Sequence, residues 1–356
     1  MVFLYMLVFV PISLILGYLI KASPIIIFTT SILAIIPLAV WIQRGTEQIA
    51  IQVGPSIGGL LNVTFGNAAE LILAFFVLAG GNSEVVKGQI TGSIIGNSLL
   101  GLGLAILIGS WGRQRQTFNR ERAGLLTSLL ILIVIGLLLP ALFDYTEREV
   151  VSASSAGALD EWLSLGVSVV LIVLYIANLI YTLYTHRDVF AIEEGEPREA
   201  KWSLGKSLII LVTATAVTAV EAELVSNALE STAGMLGVST FFLGVIVLAI
   251  VGNSAEYVAA VYFARKDQMS LVMSITVGST IQVGLLIAPL LVLVSFFLGN
   301  PMNLVFANPL ELIAIAGVAF AVNAIAQDGE VTWFEGALLF GVYVILGIAF
   351  FFVTPA

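Results

Sequence analysis

The sequence predicts an all-α polytopic membrane protein with about eleven transmembrane helices, on the evidence of its composition and its apolar runs. Of its 356 residues, 59% are hydrophobic and 10% are charged, whereas a soluble domain carries about 25% charged residues. The apolar runs are about 20 residues long and do not alternate with polar positions, which is typical of membrane-spanning helices rather than of a β-barrel. The candidate spans are residues 2–20, 24–43, 57–80, 86–110, 122–143, 161–185, 203–227, 238–264, 269–298, 304–326 and 331–353.

One hydrophilic segment, the acidic linker of residues 186–202, divides these spans. Residues 1–20 form an additional N-terminal transmembrane helix. Five spans then lie in residues 21–185, the first half, and five in residues 203–356, the second half. Because five is odd, the two halves enter the membrane in opposite senses. This is an inverted-topology repeat, which secondary transporters use to place a site near the membrane midplane.

The basic residues predict the orientation of the chain. The N-terminus and every second loop between spans lie on the same side of the membrane, and this side holds eleven Lys and Arg residues. The other side holds three, Lys21, Lys87 and Arg148. Since cytoplasmic loops carry the excess of positive charge, we expect the N-terminus and the linker in the cytoplasm and the C-terminus outside. The chain is then a multi-pass protein of the cell membrane (plasma or inner), with the lipid bilayer as its surroundings.

Composition also excludes several classes of function. The net charge of −9 argues against nucleic acid as a partner. The chain has no cysteine, which excludes a disulfide framework and a zinc-thiolate site. We expect no cofactor and no catalytic residues, because the candidate chemistry described below is ion binding and not an enzymatic reaction. The sequence is compatible with a homo-oligomer but does not determine the oligomeric state.

A short motif occurs twice inside long apolar runs, as residues 66–70 (GNAAE) and residues 252–256 (GNSAE). The two copies are 186 positions apart, and the same offset aligns the pair Gly92-Ser93 with Gly278-Ser279. An acidic side chain within a hydrocarbon layer is costly and marks a functional site by default. We interpret the motif as an internal duplication that brings one acid from each half to the midplane.

The repeated motif supplies ligands for a hard cation. Asn67 and Asn253 lie one turn before Glu70 and Glu256, so that each amide shares a helix face with its acid. Carboxylate and amide oxygens suit Ca²⁺, which takes about 6–8 oxygen ligands, and two carboxylates match the charge of one divalent ion. The same two acids would also take up protons, since buried neighbouring carboxylates favour their neutral form. We therefore predict that Ca²⁺ and H⁺ compete for Glu70 and Glu256.

Further residues are expected to line this site. The glycines of the motif permit a helix break or close packing, and the downstream polar residues lie on helices that would close the site. Packing of small residues is the alternative interpretation for the downstream glycine–serine pairs. Solvation at the membrane surface is the alternative for the two acids near the ends of the second and seventh spans. The lining residues are Gly66, Gly252, Ser93, Ser279, Asn97, Gln282, Glu47 and Glu223.

Residues 58–70, 252–256 and 278–282 resemble the signature motifs of the calcium/proton exchanger family, a branch of the calcium/cation antiporters, and residues 328–336 are similar to its last loop and helix. The resemblance implies eleven helices, an acidic linker between five-helix halves, and Glu70 and Glu256 as the carboxylates that bind calcium and protons. Two positions depart from the family pattern. Ala69 replaces a common threonine, and Tyr257 replaces a histidine that often follows the second acid.

We therefore expect a secondary antiporter that exchanges cytosolic Ca²⁺ for protons by alternating access. Three alternatives remain open at this stage. The first is a sodium-coupled calcium exchanger, or a sodium or potassium/proton antiporter, of the same fold. The second is a cation channel, which would need no proton coupling, and the third is a membrane scaffold that moves no ions.

Overall fold

The computed structural model describes residues 2–147, 153–185, 200–306 and 308–353. Nearly all of this part of the chain is helical. The long helices are α1 (Val2–Ile20), α2 (Pro24–Val53), α5 (Ser83–Gly109), α6 (Arg120–Thr146), α7 (Gly157–Thr185), α8 (Leu204–Leu236), α11 (Met269–Leu298), α12 (Pro309–Ala326) and α13 (Trp333–Phe351). The shorter ones are α3 (Pro55–Phe65), α4 (Ala68–Ala79), α9 (Thr240–Gly252) and α10 (Ser254–Arg265).

The predicted membrane fold is confirmed. Within the described residues, nine helices are long and apolar enough to cross a membrane, and the bent pair α9–α10 makes a tenth. Every predicted span coincides with one helix or with two successive helices. The third span is the pair α3–α4, interrupted at residues 66 and 67, and the second is longer than predicted because α2 continues to Val53. Residues 186–199 of the predicted linker lie outside the described residues.

The internal duplication is visible in the secondary structure. Helix α10 begins and ends 186 positions after α4, and α11 begins 186 positions after α5. Both α5 and α11 also contain wider, π-helical turns at matching places, Gly96–Gly101 and Val283–Ile287. A π-helical turn inserted in an α-helix frequently marks a functional site. The two motif copies therefore fold locally in the same way.

The helices fall into two compact units, each of which takes helices from both predicted halves. The first unit contains the described parts of residues 1–86, 179–255 and 353–356. Its centre is the packing of α2 against α8, where Leu38, Ile42 and Leu211 are buried. Close approach is possible there because Gly45 has no side chain: a Cβ at that position would lie 3.3 Å from the Cβ of Leu211.

The second unit contains the described parts of residues 87–178 and 256–352. Helix α5 packs against α13 through two glycines, since a Cβ on Gly336 would lie 2.8 Å from the backbone oxygen of Gly103. At one end of this unit, two short antiparallel strands, β1 (Gln116–Thr117) and β2 (Glu330–Val331), join the loop after α5 to the loop before α13. This ribbon fixes the ends of both helices.

Candidate cation-binding site

Both motif copies interrupt a helix at the asparagine. Asn67 has φ −100° and ψ 22°, and Asn253 has φ −100° and ψ 13°. These angles fall in the sparsely populated bridge region, where many active-site residues are found. Gly66 keeps helical angles, so within the interruption at residues 66 and 67 it is the asparagine whose backbone leaves the helical region. Helices α9 and α10 meet at 54° across this point.

In the first unit, the second motif packs on the first acid. Glu70 is buried with 1% of its surface exposed, and it lies in the first turn of α4. A Cβ on Gly252 would lie 3.2 Å from both the Cα and the Cβ of Glu70. Only glycine at position 252 therefore lets the chain come this close to the acid without displacing it.

The amides of the motif are also buried. The side-chain nitrogen Nδ2 of Asn253 donates a hydrogen bond of 2.9 Å to the carbonyl of Ala249. Since an amide presents one donor end and one acceptor end, this bond directs the Oδ1 atom of Asn253 away from the preceding turn. Asn67 occupies the equivalent place in the first copy, where its carbonyl accepts the amide N–H of Leu71 at 3.0 Å.

In the second unit, Glu256 is buried with 4% of its surface exposed. The next residue, Tyr257, occupies the space beside the wider turn of α5, where a Cβ on Gly101 would lie 2.7 Å from its ring. From the same wider turn, the hydroxyl of Ser98 lies 2.9 Å from the hydroxyl of Thr280 and joins α5 to α11. The side chain of Tyr257 therefore fills the space beside this turn of α5.

The predicted lining residues differ in burial. Ser93, Asn97 and Ser279 are buried, and Gln282 is half-buried beside the wider turn of α11. Glu47 is half-buried on α2, whereas Glu223 is exposed on α8. Ser93, Asn97, Ser279 and Gln282 thus lie on α5 and α11 in one unit, and Glu47 and Glu223 lie on α2 and α8 in the other.

Sequence reasoning missed an acid two residues before Glu223. Glu221 has no exposed surface, and its Oε1 atom lies 2.6 Å from the hydroxyl of Ser13 on α1. The sequence contained a signal for it, an acid inside an apolar span, but gave no reason to prefer one acid over the other. The N-terminal helix is thus bonded to α8 through a buried carboxyl group.

Two further charged residues are buried in the second unit. The Nζ atom of Lys87 donates to the carbonyl of Val305 at 2.9 Å and to the Oδ1 atom of Asn303 at 3.2 Å. Thr91, one turn along α5, donates to the carboxyl group of Glu311 at 2.9 Å. The orientation prediction places Lys87 on the less basic side of the membrane, and its side chain is buried near the start of α5.

The donors around both motif copies are carboxylate and amide oxygens. Among the described residues, no three His, Cys, Asp or Glu side chains are grouped as a metal cluster. Oxygen donors of these kinds suit a hard cation such as Ca²⁺ better than a softer metal.

The sequence pattern of a family described as "Sodium/calcium exchanger protein" matches residues 23–184 and 206–352, which together are most of the chain. The chain belongs to the sodium/calcium exchanger family. Within it, the chain is 42% identical to a Ca(2+)/H(+) antiporter of Aphanothece halophytica over 99% of this chain and 96% of that protein. It is 40% identical to the Ca(2+)/H(+) antiporter ChaA of Bacillus subtilis, with 96% of each chain covered.

Solved structures of exchangers share the fold. The structure of native YfkE matches with a TM-score of 0.84 at 36% identity, over 99% of this chain and 100% of that one. The H⁺/Ca²⁺ exchanger CAX matches with a TM-score of 0.72 over 99% of this chain and 88% of that one; at 17% identity it supports the fold alone. The resemblance to calcium/proton exchangers noted in the sequence is confirmed.

Proposed function

We propose that this protein is a secondary antiporter that exports cytosolic Ca²⁺ in exchange for protons by alternating access. The observation that carries the proposal is the identity of 40–42%, over nearly the whole chain, with proteins named Ca(2+)/H(+) antiporters. The repeated acidic motif gives that likeness a physical basis, since both copies are buried and break their helices in the same way.

Glu70 and Glu256 are the proposed carriers of both ions, with Asn67 and Asn253 as further calcium ligands. The evidence for these assignments is the packing immediately around the two motif copies. Gly252 packs directly on Glu70, and Glu256 follows Gly252 by four residues on the same bent pair of helices. Partly unwound backbone at the two asparagines would add carbonyl oxygens, which Ca²⁺ accepts readily.

The coupling between Ca²⁺ transport and proton transport follows from the charge of the two carboxylates. Two ionised carboxylates inside a membrane protein cost several kcal/mol each unless they are compensated, so the pair is stable when it holds Ca²⁺ or protons and unstable when it holds neither. Protons and Ca²⁺ occupy the same oxygens, so one ion must leave before the other binds. Because the two acids titrate as a pair, no proton is assigned to one of them. The apparent affinity for Ca²⁺ should then weaken as the pH falls.

The sidedness of transport is part of the proposal. The excess of basic residues on one set of connections favours a cytoplasmic N-terminus in the cell membrane. Two inverted five-helix halves would expose a midplane site alternately to each side. Ser93, Asn97, Ser279 and Gln282 are the proposed lining of the site.

Calcium uptake into everted membrane vesicles, driven by a pH gradient in sodium-free buffer, tests this function. We expect uptake by the wild type, no uptake by Glu70→Gln or Glu256→Gln, and full uptake by Glu230→Gln, which removes an exposed acid of α8. Uptake that requires sodium would indicate sodium-coupled exchange. Calcium flux without an opposing gradient would indicate a channel, and undiminished exchange by both glutamine variants would overturn the assigned site.

A further inference from the structure

A groove of about 650 Å³ opens on the second unit where α5 ends. Its volume is within the range of about 300–1,000 Å³ that is usual for ligand sites. Its lining combines apolar side chains, an indole and two guanidinium groups, a combination that suits an amphiphilic anion. The lining residues are Leu107, Ile108, Gly109, Trp111, Arg113 and Arg265.

The groove rests on a buried polar framework. The side-chain nitrogen of Gln116 donates to the carbonyl of Ala264 and to the carboxylate of Asp267, at 2.9 Å in each case. Its side-chain oxygen accepts a hydrogen bond of 3.0 Å from the hydroxyl of Ser110. Both ends of this buried amide are therefore used to tie the loop after α5 to the end of α10. This holds the cations of the two segments in a fixed arrangement.

The groove carries more positive than negative charge. Arg113 forms an ion pair of 3.1 Å with Asp267 and donates to the backbone carbonyl of Arg265 at 3.1 Å. The guanidinium group of Arg265 has no acidic partner within the described ranges, and the ammonium group of Lys266 lies 4.5 Å from the ring centre of Tyr262. The groove lining thus holds two guanidinium groups and no acid, and only Arg113 is paired with a carboxylate. This leaves positive charge for an anionic ligand.

Exposed aromatic rings indicate the depth of the groove in the membrane. Trp111 is 74% exposed and Trp333 is 47% exposed, and their ring centres are 6.3 Å apart. Trp111 follows the apolar end of α5, and Trp333 is the first residue of α13. Tryptophan is enriched where a membrane protein passes from hydrocarbon to headgroups. The two tryptophans therefore favour a position of the groove near the lipid headgroups.

We propose that this groove binds the headgroup of an anionic phospholipid. The phosphate lies between Arg113 and Arg265, because guanidinium groups match phosphate oxygens in geometry and charge. The upper part of the acyl chains lies against Ile108 and Trp111. Basic pockets between transmembrane helices recognise anionic lipids in this way. The binding is independent of ion exchange, so each proposal can fail without the other.

The test is thermal unfolding of the purified protein during titration with phosphatidylglycerol, compared with phosphatidylcholine. Each basic residue near anionic lipid contributes about fivefold in binding. Arg265→Gln should therefore need about fivefold more phosphatidylglycerol for the same stabilisation, and the double variant Arg113→Gln/Arg265→Gln about 30-fold more. The single variant keeps the ion pair of Arg113, so its result does not depend on that pair being dispensable for folding.

The matched control is Arg44→Gln/Lys206→Gln. It removes two cations of the first unit, which lie 5.8 Å and 5.4 Å from the ring centres of Trp41 and Trp202. It should retain the wild-type response. Equal stabilisation of the wild type by both lipids, an unchanged response in both groove variants, or an equal loss in the control would overturn the proposal. Stabilisation by inorganic phosphate alone to the same extent would also overturn it, because the groove would then recognise a free anion.

Discussion

Replacing Gly252 with alanine tests whether close packing on Glu70 is needed for ion binding. The added Cβ would lie 3.2 Å from the Cα and the Cβ of Glu70 and 3.4 Å from its Cγ. Because ordinary carbon contacts are about 3.5–4.0 Å, the acid must move by a few tenths of an ångström. The backbone atom Cα is among those contacted, so rotation of the Glu70 side chain cannot relieve the contact.

Gly252→Ala should change two quantities, the stability of the fold and the affinity for Ca²⁺. Overpacking of this kind costs about 1–3 kcal/mol of stability, which a membrane protein of this size should survive as a folded chain. Calcium ligands must lie within about 0.2 Å of their ideal distances, so a displaced Glu70 should bind Ca²⁺ more weakly. We expect a loss of calcium affinity of about tenfold, which corresponds to about 1.4 kcal/mol, with a smaller effect on the amount of folded protein.

The assay is the calcium dependence of uptake into everted vesicles, alongside thermal unfolding of the same purified variant. Gly341→Ala in α13 is the matched control, since no atom lies within 4 Å of the Cβ it would add. That control should keep wild-type affinity and gain about 0.5–1 kcal/mol from alanine's better helix propensity. A Gly252→Ala variant with wild-type calcium affinity would refute the role assigned to this contact.

Two other substitutions test the packing described above. Glu221→Ala should lower the free energy of unfolding by about 1–2 kcal/mol, because it removes the buried hydrogen bond from Ser13, whose hydroxyl keeps the carbonyl of Val10 as an acceptor. Glu230→Ala, at an exposed position of the same helix, should change the free energy of unfolding by less than about 0.5 kcal/mol. Equal effects of the two variants in denaturant unfolding would contradict this. Gly101→Ala should lower the free energy of unfolding by about 1–3 kcal/mol, because the added Cβ would press on the ring of Tyr257. Adding Tyr257→Leu to this variant should recover part of the lost stability. Additive effects of the two substitutions in a double-mutant cycle would show that the two residues do not interact.

The sequence predicted the helices well because membrane spans are set by length and hydrophobicity alone. The span at residues 269–298 agrees at both ends with α11. The offset of 186 positions found in the motif also describes the boundaries of α4 and α10. The position of each helix interruption was harder to predict, because glycine is the residue usually expected at a break. The interruptions are at Asn67 and Asn253, whose backbone angles depend on the surrounding packing.

Side-chain burial could not be predicted from the sequence as accurately as the helix boundaries. Glu221 and Glu223 are two residues apart on an apolar helix, and so they point to different sides; only the packing of α1 and α2 decides which one is covered. Glu311, near the start of α12, is buried and accepts a hydrogen bond from Thr91. Lys87 is satisfied by Asn303 and Val305, which are more than 200 positions away in the chain. Such long-range partners leave no pattern in the local sequence.

The central proposal is that Glu70 and Glu256 both take part in holding either Ca²⁺ or protons. Calorimetric titration of the purified protein with Ca²⁺, in buffers of different ionisation enthalpy, counts the protons released for each Ca²⁺ bound. The account predicts proton release by the wild type, and loss of both calcium binding and proton release in Glu70→Gln and in Glu256→Gln. Tight calcium binding without any proton release, or undiminished release by either variant, would contradict it.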